Sequence, residues 1–277
     1  LVQGDDHIVR QACLKAQAEV QRIEHKYSRY REQSLLQTIN KNAGIQSTSI
    51  DLETAGLLNY ADMCHQQSQG EFDITSGILR QVWDFKSQTL PSQQAIDQCL
   101  PLIDWPSVEW DQSQIFLPKR RMEIDFGGFG KEYAADKAAE IFQTIGIKHG
   151  LIDLGGDIRI IGDKHDQSGW QIGIRNPQQP EQAIQTVILH NGAMATSGNY
   201  ERFTVINDRR YCHLLKANSG WPIHYWASVT VIAPQCLVAG SLATLCMLTE
   251  KPGYDWLTQQ GVGFVAINID GEQFTQL

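Results

Sequence analysis

The sequence predicts an α+β fold, and three observations predict it. Helical spacing of apolar residues is concentrated before residue 70, and short β-branched or alternating runs dominate from residue 115 onward. One long uncharged stretch near the C-terminus divides into a strand and a buried helix. Helices segregated in this way sit against a mixed or antiparallel sheet, whereas regular βαβ alternation would give a parallel one. No internal repeat, low-complexity tract or Pro/Ser linker interrupts the 277 residues, so one continuous domain over 1–277 is expected.

The first helix is expected over residues 5–29, from Ile8, Ala12, Leu14, Ala18, Val20, Ile23 and Tyr27. Asp51 caps a second, which carries Leu57, Leu58, Tyr60, Ala61 and Cys64 and stops at Gly70. A third begins near Gly128, runs through Ala134, Ala138, Ile141 and Phe142, and ends at Gly146. Strands are expected at MEIDF, HGLIDL, DIRIIG, WQIGIR, QTVILH, FTVI, SVTVIA and GFVAIN. Trp226–Thr249 has no charge and is long enough to span a bilayer. Pro234 and Gln235 cut it into a short β-branched half and the helical half CLVAGSLATLCML, so a buried strand and helix (235–249) are predicted instead.

Composition excludes several classes. With 42% hydrophobic and 19% charged residues, 23 Gly and 9 Pro, the chain is neither disordered nor collagenous. The formal net charge of −8 argues against nucleic acid, which requires a basic face. The six cysteines, at 13, 64, 99, 212, 236 and 246, show no zinc-ligand spacing. Being even in number they leave extracellular bridges open, but their scatter points to buried thiols in a reducing compartment. LVQGDDHIVR shows neither a basic n-region nor an apolar h-region, so no signal peptide is visible. A cytoplasmic location is expected on these grounds; a periplasmic or lipid-anchored one stays open if the N-terminus was trimmed.

No single motif decides a function. Gly127-Gly128-Phe129-Gly130-Lys131 fails as a P-loop, because Asp125 occupies the first Gly position and Glu132 follows the lysine. What survives is a glycine turn into a helix N-terminus carrying Lys131, able to hold an anion or simply to face solvent. Gly155-Gly156 reads as a tight hairpin or as a close ligand approach. Asp73 reads as a cap for the helix containing Leu79 and Val82, and Ala195–Tyr200 as a polar turn after a strand. His213 is placed on a probable strand, and the eight histidines form no H-E-x-x-H.

The order of these segments is more specific than any one of them. Tyr27-Ser28-Arg29-Tyr30, Phe72-Asp73-Ile74-Thr75, Asp125-Phe126-Gly127-Gly128 with Lys131, and Leu154-Gly155-Gly156-Asp157 follow one another. Ala195-Thr196-Ser197-Gly198-Asn199-Tyr200, His213 with Gly220, and Leu242-Ala243-Thr244 complete the series. Over roughly residues 20–250 the chain resembles the ApbE family of FAD:protein FMN transferases. The resemblance implies an α+β domain that binds FAD and, with Mg2+, transfers FMN to a Thr or Ser hydroxyl of a partner flavoprotein, releasing AMP. It implies FAD contacts from Tyr30, Glu71, Phe72, Asp73, Asp125, Lys131 and His213, with Lys131 and His213 as the catalytic pair. It implies a metal held by the Gly128 carbonyl, by Thr244, and by an Asp four residues before that Thr.

Three departures accompany the resemblance. Gly240 stands where the metal-ligand Asp is expected, in Ala239-Gly240-Ser241-Leu242-Ala243-Thr244. Lys216 and Ala217 replace an Asp-Pro pair after His213, and the Met-Gly-Thr strand expected ahead of the first helix is absent. The loss at 240 keeps an alternative open, a catalytically impaired FAD-binding protein; restoration of activity by Gly240→Asp would identify the lesion. Hydrolysis of free FAD to FMN and AMP is a third reading.

Overall fold

Antiparallel pairing organises the computed structural model, which describes residues 1–277. Strand β1 (Val2–Gln3) precedes α1 (Asp6–Tyr27), α2 (Leu35–Lys41), β2 (Thr48–Ser49) and α3 (Leu52–Gln67). A 3-10 helix (Ile74–Gln81), α4 (Gln93–Cys99), β3 (Glu109–Trp110) and β4 (Gln114–Phe116) lead to α5 (Gly130–Ile145). Then come β5 (His149–Leu154), β6 (Asp157–Ile161), β7 (Trp170–Arg175), β8 (Ala183–Leu189), β9 (Gly192–Gly198), β10 (Phe203–Ile206) and β11 (Arg209–Cys212). The chain closes with β12 (Trp226–Ala233), α6 (Cys236–Thr249), α7 (Pro252–Gln259), β13 (Gly263–Asn268) and β14 (Gln273–Gln276).

The main sheet has seven strands in the order β1-β5-β6-β9-β12-β13-β14, and every pairing in it is antiparallel. Its two faces follow from period-2 alternation. Ile152, Val229, Val231, Phe264 and Ala266 point to a core shared with α1, α3, α5 and α6. Leu151, Ile158, Ile160, Val265 and Ile267 point the other way, where the β7–β8 hairpin covers them with Trp170, Ile172, Ile174 and Val187. Because α6 is apolar on all sides, it sits at the centre of the helical layer with eleven buried residues.

The helices begin and end where their chemistry requires. Asp51 accepts from the Thr54 N–H, and Asp73 from the Thr75 N–H of the 3-10 helix. Gly146 terminates α5 at φ 94, a conformation that costs glycine little. Gly155 and Gly156, at φ 67 and 92, form the two-residue turn of the β5–β6 hairpin, with Leu154 opposite Asp157.

Two expected elements differ. MEIDF (122–126) joins no sheet: the Asn40 side-chain amide takes the place of a neighbouring strand, donating to the Ile124 carbonyl at 3.0 Å and accepting its N–H at 2.9 Å. Ala195–Gly198 is the second half of a central strand, with Thr196 opposite Thr230 and Ser197 opposite Val229, rather than a turn after one. All six cysteines are free thiols; five are buried and Cys13 is exposed. No helix is long and apolar enough to cross a membrane.

Glu53 ties the early helices together. Its carboxylate accepts from Arg22 at 2.6 and 2.9 Å, from Lys26 at 2.6 Å and from the Tyr133 hydroxyl at 2.9 Å, joining α1, α3 and α5. Burial alone would raise its pKa, but the hydrogen bonds from Arg22, Lys26 and Tyr133 outweigh that and hold it at about 2. A carboxyl depressed in the folded state stabilises the fold above its unfolded pKa, and that stability is lost as pH falls towards the folded value. Thermal melts from pH 5 to pH 2.5 should therefore show falling stability. Glu53→Gln should lower the neutral-pH stability and flatten part of that slope, by a modest amount that shrinks in high salt because the pairs are partly exposed.

Candidate active site

A packed aromatic group fixes the glycine turn that precedes α5. Phe129, fully buried, meets Tyr60 edge-on at 5.5 Å, Phe72 at 6.0 Å and Phe126 at 5.7 Å between ring centroids. Gly128 is required here, since a Cβ at that position would lie 2.7 Å from the Phe72 ring. No hydrogen bond closes on the Gly128 carbonyl. With the turn clamped in this way, the first residues of α5 face β6 and α6.

Lys131 and Glu132 are those residues. Lys131 Nζ lies 2.7 Å from Asp157 Oδ2 and 3.5 Å from the Gly155 carbonyl, so the β5–β6 hairpin aims the ammonium. Burial opposes its charge, but Asp157 wins and raises its pKa, so it stays protonated. Glu132 is 8% exposed, with Oε2 buried and without a hydrogen-bond partner. Burial first, then the charge of Asp157, pushes its pKa up. Asp157 Oδ1 accepts from the Thr196 N–H at 3.2 Å, and Ser197 and Thr244 hydroxyls sit 2.7 Å apart, linking β6, β9 and α6.

His213 follows directly after β11, one residue beyond the strand on which it is expected. Its N–H donates to the Arg202 carbonyl at 3.0 Å, and Nδ1 lies 3.2 Å from the same oxygen. A carbonyl only accepts, so Nδ1 carries the hydrogen and the Nε2 lone pair is free. Burial and then the charges of Arg202, Arg29 and Lys131 hold the imidazole pKa below its ordinary value. The ring is therefore neutral at pH 7.

The remaining expected contacts divide in two. Tyr30 is 76% exposed, with the Arg29 guanidinium 5.0 Å from its ring centroid. Asp125 pairs with Arg29 and accepts from the Gly127 N–H at 2.9 Å, bracing the turn. Glu71 accepts from Asn218 at 2.7 Å while its Oε2 is buried and unpartnered. Phe72 and Asp73, by contrast, face inward. Asp73 spends its oxygens on the Thr75 N–H and hydroxyl and on the Trp105 N–H, and Phe72 is 5% exposed within the aromatic group. They hold the frame of the site. Arg29, Arg202 and Glu132 are the functional candidates that sequence reasoning missed, because an Arg or Glu without a motif partner reads as a solvated charge. A concavity elsewhere, lined by Glu19, Arg22, Glu53, Tyr133 and Lys137, is walled by ion pairs and stands apart from this cluster.

Residues 5–266 match the ApbE family. The chain belongs to it. Among its relatives, the FAD:protein FMN transferase of Haemophilus influenzae is 28% identical over 256 residues, covering 87% of this chain and 74% of that protein. The FAD:protein FMN transferase of Escherichia coli K12 is 27% identical over 275 residues, covering 94% and 77%. The solved ApbE protein of Thermotoga maritima superposes with a TM-score of 0.88 at 29% identity, over 96% of this chain and 89% of that one. The flavin transferase ApbE of Vibrio cholerae, at 22% identity, shares the fold with a TM-score of 0.87 over 99% and 89%.

In this ApbE-family chain the turn before α5 depends on Phe129. Phe129→Ala should destabilise the protein by about 3–5 kcal/mol, the range for emptying a buried aromatic site. Chemical denaturation would read this as a lower midpoint with an unchanged slope. A loss below 1 kcal/mol would show that the ring does not clamp the turn.

Proposed function

We propose that the chain is an FAD:protein FMN transferase that uses Mg2+ and moves FMN to a Thr or Ser hydroxyl of an acceptor flavoprotein. Relatives in Haemophilus influenzae and Escherichia coli bear that name. The observation that carries the reading for this chain is Lys131 at the N-terminus of α5, held 2.7 Å from Asp157, in the same turn as a Gly128 carbonyl that accepts no hydrogen bond. A positioned ammonium at a helix N-terminus suits a pyrophosphate substrate, whose cleavage depends on positioning and on neutralising phosphate charge. The exposed ring of Tyr30 beside Arg29 offers a stacking surface for a flat ring system.

The acceptor hydroxyl oxygen bonds to the FMN phosphorus, the bridging P–O bond to the AMP half breaks, and AMP leaves. The hydroxyl proton passes to His213 Nε2, which is free because Nδ1 is engaged by Arg202. Lys131, held by Asp157, neutralises phosphate oxygens at the helix N-terminus.

The donor chemistry around α5 and α6 suits a hard cation. The Gly128 carbonyl accepts no hydrogen bond, Thr244 offers a hydroxyl, and Glu132 Oε2 is a buried oxygen without a partner. A bound Mg2+ would neutralise developing charge on the phosphates.

Incubation with FAD, Mg2+ and an acceptor domain should add FMN to the acceptor, read by mass, with AMP released in equal amount. AMP released without an acceptor, or FAD bound with no transfer, would contradict the assignment. His213→Asn should cut transfer by about 10²–10⁴-fold. Because the His213 pKa is lowered, the neutral base persists at mildly acidic pH. The acidic limb of kcat/KM should therefore fall below the ordinary histidine value of about 6.5. A limb centred above 7 would argue against His213 as the base.

A further inference from the structure

We propose that Glu132 supplies the carboxylate ligand to the divalent cation, reaching from α5 into the space that Gly240 leaves on α6. The inference rests on the transferase reading for the identity of the metal site, and on two geometric facts for the ligand. A Cβ built on Gly240 would lie 2.5 Å from Glu132 Cγ, 2.7 Å from Oε1 and 2.9 Å from Cδ. The Glu132 side chain therefore fills the volume that any side chain at 240 would enter. In addition, Glu132 is 8% exposed and its Oε2 has no hydrogen-bond partner. A second carboxyl group, Asp157, lies beside it, and two buried acids side by side are costly; they must share a proton or a cation, and a divalent cation satisfies both.

The position is the appropriate one. Residues 240 and 244 lie about one helical turn apart on the same face of α6, about 6 Å along the axis. A carboxylate lying over Gly240 is thus a neighbour of the Thr244 hydroxyl. Glu132 also follows Gly128 by four residues, so one short segment, the turn into α5, carries both the free carbonyl and the carboxylate. A glycine at 240 is what allows the longer Glu side chain to occupy this place. The site has kept its carboxylate and changed the helix that donates it. By the same distances, the side chain of a Gly240→Asp variant would meet Glu132, so that substitution alone is not expected to restore a ligand.

Mn2+ titration of the full chain, followed by electron paramagnetic resonance of the free ion, tests the proposal without reference to turnover. Wild type should bind Mn2+, and Glu132→Gln, which keeps shape and removes charge, should bind at least about tenfold more weakly. Gly240→Asp alone should lower the melting temperature. The transposed double variant Glu132→Gly with Gly240→Asp should recover Mn2+ affinity to within a few-fold of wild type. Circular dichroism and FAD binding confirm that each variant is folded. Unchanged Mn2+ affinity in Glu132→Gln would overturn the proposal, as would a wild type that takes up no Mn2+. So would a folded double variant no better than Glu132→Gln. Normal Mn2+ behaviour in a protein that never flavinylates an acceptor would instead count against the transferase reading alone.

Discussion

The structure depends on burying two carboxylates where α5, β6 and α6 meet, with one half-exposed ammonium at their edge. Like charges in a low-dielectric environment repel strongly, so Glu132 and Asp157 can share this place only with compensation. Lys131 supplies part of it through Asp157. The rest of the architecture serves to hold these groups together. The aromatic group around Phe129 clamps the turn, the two-glycine hairpin sets Asp157, and the apolar helix α6 brings Gly240 and Thr244 alongside.

The same economy explains why polar residues are buried elsewhere without metal or flavin. Asp73 accepts three hydrogen bonds and Asn40 brackets Ile124, so both hold chain segments that have no sheet to join. Expected flavin contacts at Phe72 and Asp73 are thus separated from Tyr30, Lys131 and His213 by burial, not by distance along the chain. The frame and the working face of the site are made by adjacent residues of the same motifs.

Much of this was legible in the sequence because local rules agreed with the tertiary result. Asp51, Asp73 and Gly146 read as helix boundaries and are so, and the uncharged run at 226–249 divides at Pro234 and Gln235 into β12 and α6. MEIDF misled because its alternation matches a strand, while its partner is a side chain 84 residues away. Ala195–Gly198 misled in the other direction, since small and polar residues are tolerated in a central strand where helix α6 packs closely. Arg29, Arg202 and Glu132 could not be found by pattern at all. Their roles arise from contacts between distant segments, and the exchange between positions 132 and 240 shows only when both are placed in space.

Gly240 looked like a lost ligand when read along the chain, and that loss supported an impaired flavin binder. In three dimensions the vacancy is filled, so the position no longer separates an active enzyme from an inactive one. The most direct measurement is a crystal structure of the protein soaked with Mn2+, with anomalous scattering recorded at the manganese edge. The account predicts one strong peak within bonding distance of a Glu132 carboxylate oxygen and the Thr244 hydroxyl. A peak bonded elsewhere, with Glu132 turned away from it, would contradict the account.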